Sequence, residues 1–205
     1  DGQAKGFSLL NISLGGMAVL VENAGDFLPD TRLSGIVSIG GHEFPLTAMV
    51  RHARDKVIGC EFMETKFEMR REIQRHIRVG MQAIELKEIG ASFLNPDPRG
   101  DVAWYTDSVS SEIYTVSDRQ GLLEFHINIL GAYIEGGRGI KTKCGNVMES
   151  RSDDVRGYRS NVLSFEKAND AEMYIIARIF VDNAACIPPQ LRKAIVEQLI
   201  AGRSP

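Results

Sequence analysis

Apolar and polar positions alternate with a period of two through most of the first sixty residues, the period of half-buried strands. "FSLLNIS" and "GMAVLVE" are short β-rich runs within residues 7 to 22. In "RLSGIVSIGGHEFPLTAMVRHA", Leu33, Gly35, Val37 and Ile39 alternate with Ser34, Ile36 and Ser38. Phe44, Leu46, Ala48 and Val50 then alternate with Pro45, Thr47, Met49 and Arg51. Gly40-Gly41 between them suits a tight hairpin, because glycine tolerates positive φ. Asp55-Lys56 supplies another turn before "VIGCEFM". Pro45 donates no backbone hydrogen bond and belongs at an edge or near a strand start. Five short strands with tight turns predict a small antiparallel barrel or sandwich over residues 7 to 63.

The period then changes. In "TKFEMRREIQRHIRVG", Met69, Ile73 and Ile77 recur at helical spacing, with Arg70, Arg71, Arg75 and Arg78 mainly elsewhere on the wheel. The pattern predicts an amphipathic helix that closes the sheet, with Gly80 as its stop. "NPDPRGD" has two prolines and a glycine, and the domain boundary is placed there. The expected organisation is a β domain with its helix over residues 1–94, a linker over 95–100 and a second domain over 101–205.

The second half returns to period two. Leu123, Phe125, Ile127 and Ile129 face one way, and Glu124, His126 and Asn128 the other. Gly136-Gly137-Arg138-Gly139 reads as a hairpin connection. After a polar stretch from Arg151 to Arg159 come two predicted helices. "NDAEMYIIARIFVDNA" takes Asn169 or Asp170 as N-cap, and "PPQLRKAIVEQLIAG" starts at a proline pair and ends at Gly202. This half is expected to be an α+β domain with an antiparallel sheet and two C-terminal helices. Trp104 and Tyr105, just after the linker, are expected to anchor its core.

Composition narrows the function. The 205 residues are 43% hydrophobic and 25% charged, as in an ordinary globular protein. No apolar run approaches the roughly 20 residues of a membrane helix, and residues 1 to 15 lack the basic start and apolar core of a secretory signal. The net charge of -3 argues against a general binder of DNA or anionic membranes. Three widely separated cysteines, Cys60, Cys144 and Cys186, form no CxxC pair. They suggest a reducing compartment, the cytoplasm, with the thiols as small core residues.

Catalytic signatures do not stand out. His42, His52, His76 and His126 have no zinc-like spacing, and His126 reads as a surface residue. "GGRGIK" is not a phosphate-binding GxxxxGK[ST] loop, and "DSVSSE" reads as a polar loop. No GxSxG, HExxH or carboxylate pair appears, so no enzyme activity, metal or cofactor is expected.

The stretch "NISLGGMAV" is the informative one. A polar Asn-x-Ser and paired glycines interrupt a good strand, either as a plain hairpin turn or as a surface built to grip a ligand. Asn11, Ser13 and Gly16 fit the pattern [D/N]-x-S-x-x-G. Downstream, "LTAMVRHARDKVIGCEFMET" and the basic amphipathic helix after Phe62 add to the pattern, and over residues 5 to 80 the chain resembles the PilZ family. That resemblance implies a six-stranded antiparallel β-barrel with a closing helix, and binding of the bacterial second messenger cyclic di-GMP. It implies that Asn11 and Ser13 contact guanine, whose edges offer N1/N2 donors and O6/N7 acceptors. Gly15 and Gly16 would shape that face, with Arg51 and Arg54 as further possible contacts. The family's R-x-x-x-R segment, whose arginines clamp phosphates and stack on guanine, has no counterpart in the ten residues before Asn11, where Lys5 is the single basic residue. "REIQR", residues 71 to 75, has the spacing but falls on a predicted helix, where i and i+4 share a solvated face. Two readings follow. One is a cytoplasmic bacterial signalling receptor or adaptor that transmits cyclic di-GMP binding to its second domain or to a protein partner in motility or surface-polymer control. The other is a degenerate PilZ-like adaptor that does not bind nucleotide.

Overall fold

The computed structural model describes residues 6–151, 160–164 and 171–202. It divides into two compact units, Asp1–Ile77 and Arg78–Pro205.

The first unit is one antiparallel sheet: β1 (Ser8–Ile12), β2 (Gly16–Leu20), β3 (Arg32–Ile39), β4 (His42–Arg54) and β5 (Val57–Glu64), in spatial order β1-β2-β5-β4-β3. No pairing joins β1 to β3 among the described residues, so the sheet is a half-barrel. The turns follow the expected chemistry. Gly40 and Gly41 have φ of 62° and 83°, and Asp55 has φ of 55°. A Cβ on Gly40 would also meet the Glu72 carboxylate, which would have to shift. Pro45 sits near the start of β4, opposite Ile36, before β4 begins to pair with β5 at Thr47. Its missing N–H therefore costs no ladder bond on that side. Alternate side chains, including Val19, Ile39, Leu46, Ala48, Val50, Ile58 and Cys60, fill one core together with Met69 and Ile73.

Those last two lie on α1, Phe67–Glu85, which differs from the expected helix in two ways. It does not stop at Gly80, and Ile77 is exposed rather than on the buried stripe. Val79, Ala83 and Leu86 renew the helical apolar spacing beyond Ile77, and they are buried in the core of the second unit. Glycine in a helix interior costs only about 1 kcal/mol, and burying a side chain of valine or leucine size returns roughly 1.5–3 kcal/mol.

The second unit is a seven-stranded antiparallel meander: β6 (Lys87–Glu88), β7 (Asp101–Thr106), β8 (Glu112–Asp118), β9 (Gly121–Ile129), β10 (Ala132–Gly137), β11 (Ile140–Arg151) and β12 (Ser160–Ser164), in sequence order across the sheet. Residues 95–100 lie within this unit, after β6 has already paired with β7. They carry an ion pair from Arg99 to Glu124 on β9 (2.6 Å) and another to Asp97 (2.7 Å). Helices α2 (Ala171–Asn183) and α3 (Pro189–Gly202) pack on one face. The helix at the proline pair ends at Gly202 as expected, while the N-cap candidates Asn169 and Asp170, and the polar stretch from 152 to 159, lie outside the described residues. Tyr105, Phe125, Ile127, Ile134 and Phe180 are central in this core.

Trp104 and Tyr105 separate. Tyr105 is buried, whereas Trp104 stands on the opposite face of β7 and donates from Nε1 to Glu112. His126 is on that face too, but not as a lone surface residue. It stacks on Tyr114 (5.6 Å between centroids), lies 5.8 Å from Tyr133, and is bonded to Glu124 (2.8 Å). Cross-strand register makes the row, since Trp104, Tyr114 and His126 are successive partners on β7, β8 and β9. Among the described residues Cys60, Cys144 and Cys186 form no disulfide, and the first two are buried.

Candidate functional site

The interruption in the first strand pair is a tight turn whose flanks face outward. The Ser13 amide donates to the Gly16 carbonyl (2.8 Å), the Ser13 hydroxyl donates to the same oxygen (3.2 Å), and the Gly15 amide donates to Oγ of Ser13 (3.3 Å). Ser13 thus closes the turn with its side chain, as serine does in such motifs. One hydroxyl lone pair remains for a further donor. Phe62 on β5 donates its amide to Gly15 (2.9 Å) and anchors the turn to the neighbouring strand.

Period two then decides the facing. Ile12 and Met17 pack against the core, while Asn11 and Ser13 are exposed. No hydrogen bond engages the Asn11 amide group among the described residues. Gly16 faces Glu61 on β5, and a Cβ there would fall on the Cys60 carbonyl. Gly15, by contrast, has open space around its α-carbon. The two glycines of the motif therefore do different work: Gly16 permits close strand approach and Gly15 does not.

Arg51 lies on the same outer face, held between two carboxylates that the sequence did not single out. Its Nε donates to Glu61 (2.6 Å) and its Nη1 to Asp30 (2.6 Å). The hydrogen bond and charge of Glu61, then the charge of Asp30, raise its pKa further above the ordinary arginine value. Asp30 is 21 residues away in the chain and belongs to no readable pattern with Arg51. Arg54, at the far end of β4, points into solvent beside Asp55 (3.5 Å). The structure thus brings Asn11, Ser13, Gly15 and Gly16 to one end of the β1–β2 pair, with Arg51 beyond Glu61 and Arg54 set apart. On α1, Arg71 is exposed and Arg75 is half-buried.

Elsewhere, a shallow cleft of about 550 Å³ in the second unit is lined by Asp118, Gln120, Arg138, Gln190 and Glu197. Its Arg138 is committed to Asp118 (2.9 Å) and Gln120 (3.2 Å). Among the described residues, no group of three or more His, Cys, Asp or Glu is placed to hold a metal ion. No helix there is long and apolar enough to cross a membrane.

Comparison with known proteins agrees with the motif. The family model of the PilZ domain matches residues 1–78, the segment that contains the whole half-barrel sheet and the first part of α1. No curated protein and no solved structure matches the chain. PilZ domains are signalling adaptors of the cyclic di-GMP-binding type, with degenerate forms among them, and are binding rather than catalytic modules.

Proposed function

We propose that the chain is a signalling receptor in which the outer face around Asn11, Ser13, Gly15 and Gly16 takes a guanine of cyclic di-GMP. The observation that carries this reading is the exposed Asn11 carboxamide, unengaged among the described residues, beside Ser13 in a segment that matches the PilZ model. The carboxamide oxygen of Asn11 accepts from the guanine N1/N2 edge, and the Ser13 lone pair takes a second donor. Arg51 and Arg54 supply positive charge for the phosphates, Arg51 by exchanging Asp30 or Glu61 for a phosphate oxygen. In this reading the protein works in the bacterial cytoplasm and performs no catalysis. Its second unit, from Arg78 onward, is the output module or the seat of a partner in motility or surface-polymer control. Signalling then requires that the nucleotide favour one arrangement of the protein over another.

A second reading is favoured by one observation. Arg51 is already neutralised by two carboxylates, which suits an adaptor that has lost the nucleotide and binds protein alone. Calorimetry on the native full-length protein decides between them. The receptor reading expects heat of binding with micromolar cyclic di-GMP, weakened about tenfold or more in Asn11→Ala. No heat from the unmodified protein removes it in favour of the adaptor.

A further inference from the structure

The outer face of the first sheet carries a row of residues of which the PilZ motif names only one. In register across four strands stand Asn11 on β1, Ala18 on β2, Gly59 on β5 and His52 on β4. Directly opposed residues of neighbouring strands share a face. Their chain neighbours Ile12, Met17, Val19, Ile58 and Cys60 pack into the core, so this row looks outward.

Both polar ends of the row follow an irregularity in the ladder. The β1–β2 register shifts between Leu9 and Asn11, and the β4–β5 register shifts between Val50 and His52. An extra residue in a strand re-aims the side chains after it. Here the second shift leaves Arg51 and His52 both exposed on the outer side.

The middle of the row is small. A Cβ on Gly59 would fall within the His52 imidazole, so the ring is seated over the Gly59 backbone, one strand nearer Asn11 than its own α-carbon. With strands about 4.8 Å apart, ring and amide face each other across two strand spacings, roughly 10 Å, with only the Ala18 methyl between them. His52 is exposed, and no hydrogen bond, ion pair or ring contact engages it among the described residues. The row is a shallow slot with a methyl floor, a carboxamide at one end and an imidazole at the other.

We propose that His52 is a ligand-contacting residue of this slot, holding the guanine edge opposite the one that Asn11 reads. This rests on the reading that the face takes a guanine nucleotide. Guanine is bipolar in the required sense: N1–H and N2–H donate on one side, and O6 and N7 accept on another. Asn11 presents an acceptor to the first edge, and an imidazole N–H presents a donor to the second. Adenine offers an acceptor at N7 but a donor at N6, so the pair of ends also prefers guanine.

The seat of the ring provides the test. His52→Ala deletes the contact, Gly59→Ala evicts the ring without deleting it, and the double variant does both. Titration calorimetry with cyclic di-GMP on the native full-length protein is expected to show about tenfold weaker binding in each single variant. The double variant should be no weaker than His52→Ala alone, because the added methyl then fills space the ring has left. Thermal midpoints measured alongside separate lost contact from lost fold. If the unmodified protein binds the nucleotide and both single variants keep its affinity, His52 is no contact, while the nucleotide reading stands. If the unmodified protein does not bind, the nucleotide reading fails and the role of His52 falls with it.

Discussion

Gly15 and Gly16 look equivalent in the sequence and are not equivalent in the sheet. A methyl on Gly16 would lie against the carbonyl carbon and oxygen of Cys60 and the α-carbon of Glu61, all backbone atoms that no rotamer change can move. Gly15 has nothing within 4 Å of such a methyl. Neither has positive φ, so the difference is one of space rather than backbone strain. Gly16→Ala should therefore force the β2–β5 pairing apart and cost about 1–3 kcal/mol, while Gly15→Ala should stay within about 0.5 kcal/mol of the parent. Urea midpoints of the two variants check this, and equal midpoints would refute the close-approach account of Gly16. The reason Gly16 must be small was not legible in the sequence, because the colliding carbonyl belongs to a residue 44 positions on. What local chemistry could predict, it did. Asn-x-Ser before paired glycines marked a turn, and the turn is there. The clamping of Arg51 by Asp30 and Glu61 is a tertiary accident of strand neighbours and left no local trace.

Strands and turns of the first unit were readable because period two and glycine pairs are local signals, and the structure follows them from β1 to β5. The end of α1 lies beyond the expected stop at Gly80 for an equally physical reason. Gly80 has the composition of a stop, but a glycine ends a helix only where the chain gains by leaving it. Here Val79, Ala83 and Leu86 continue the buried spacing and outweigh it. The two alternatives predict opposite responses to one substitution. A terminating glycine adopts positive φ, and alanine there is strained. Gly80 does not have positive φ, and its added methyl would meet only the Asn183 side chain at 3.9 Å, an ordinary contact. Gly80→Ala should therefore stabilise the protein by about 0.5–1 kcal/mol. A fall in the thermal midpoint would return the helix end to Gly80. The Pro-rich stretch at 95–100 carries the same lesson from the other side. Prolines disfavour the interior of helices and sheets, yet Arg99 ties the stretch to itself through Asp97 and to β9 through Glu124, a partner 25 residues on.

At the scale of the whole molecule, the aromatic residues are unevenly distributed. The single tryptophan and all five tyrosines lie beyond residue 100, so tryptophan emission reports the second unit alone. Burial, helped by the nearby charges of Glu88 and Cys186, pushes the Tyr105 phenol up to about 12. Burial and the neighbouring Cys144 thiol do the same for Tyr174, also to about 12. Tyr133 is raised as well, by burial and then by Glu135, to which its hydroxyl donates (3.1 Å). Since the free phenol titrates near 10, the unfolded chain releases these protons before the folded one does. Between about pH 10 and pH 12 the folded state therefore binds more protons, and stability falls as pH rises through that window. The stabilisation from keeping these phenols neutral is fully present below pH 10. Thermal unfolding followed by Trp104 emission should accordingly show a midpoint that is level from pH 8 to 9 and drops by roughly 5 °C or more by pH 11. Tyr105→Phe should shrink the drop, because phenylalanine fills the same core position without an ionisable group. A midpoint that holds to pH 11 in the parent would mean that these phenols are not shielded from water, and that the core drawn around Tyr105 and Tyr174 is looser than its packing implies.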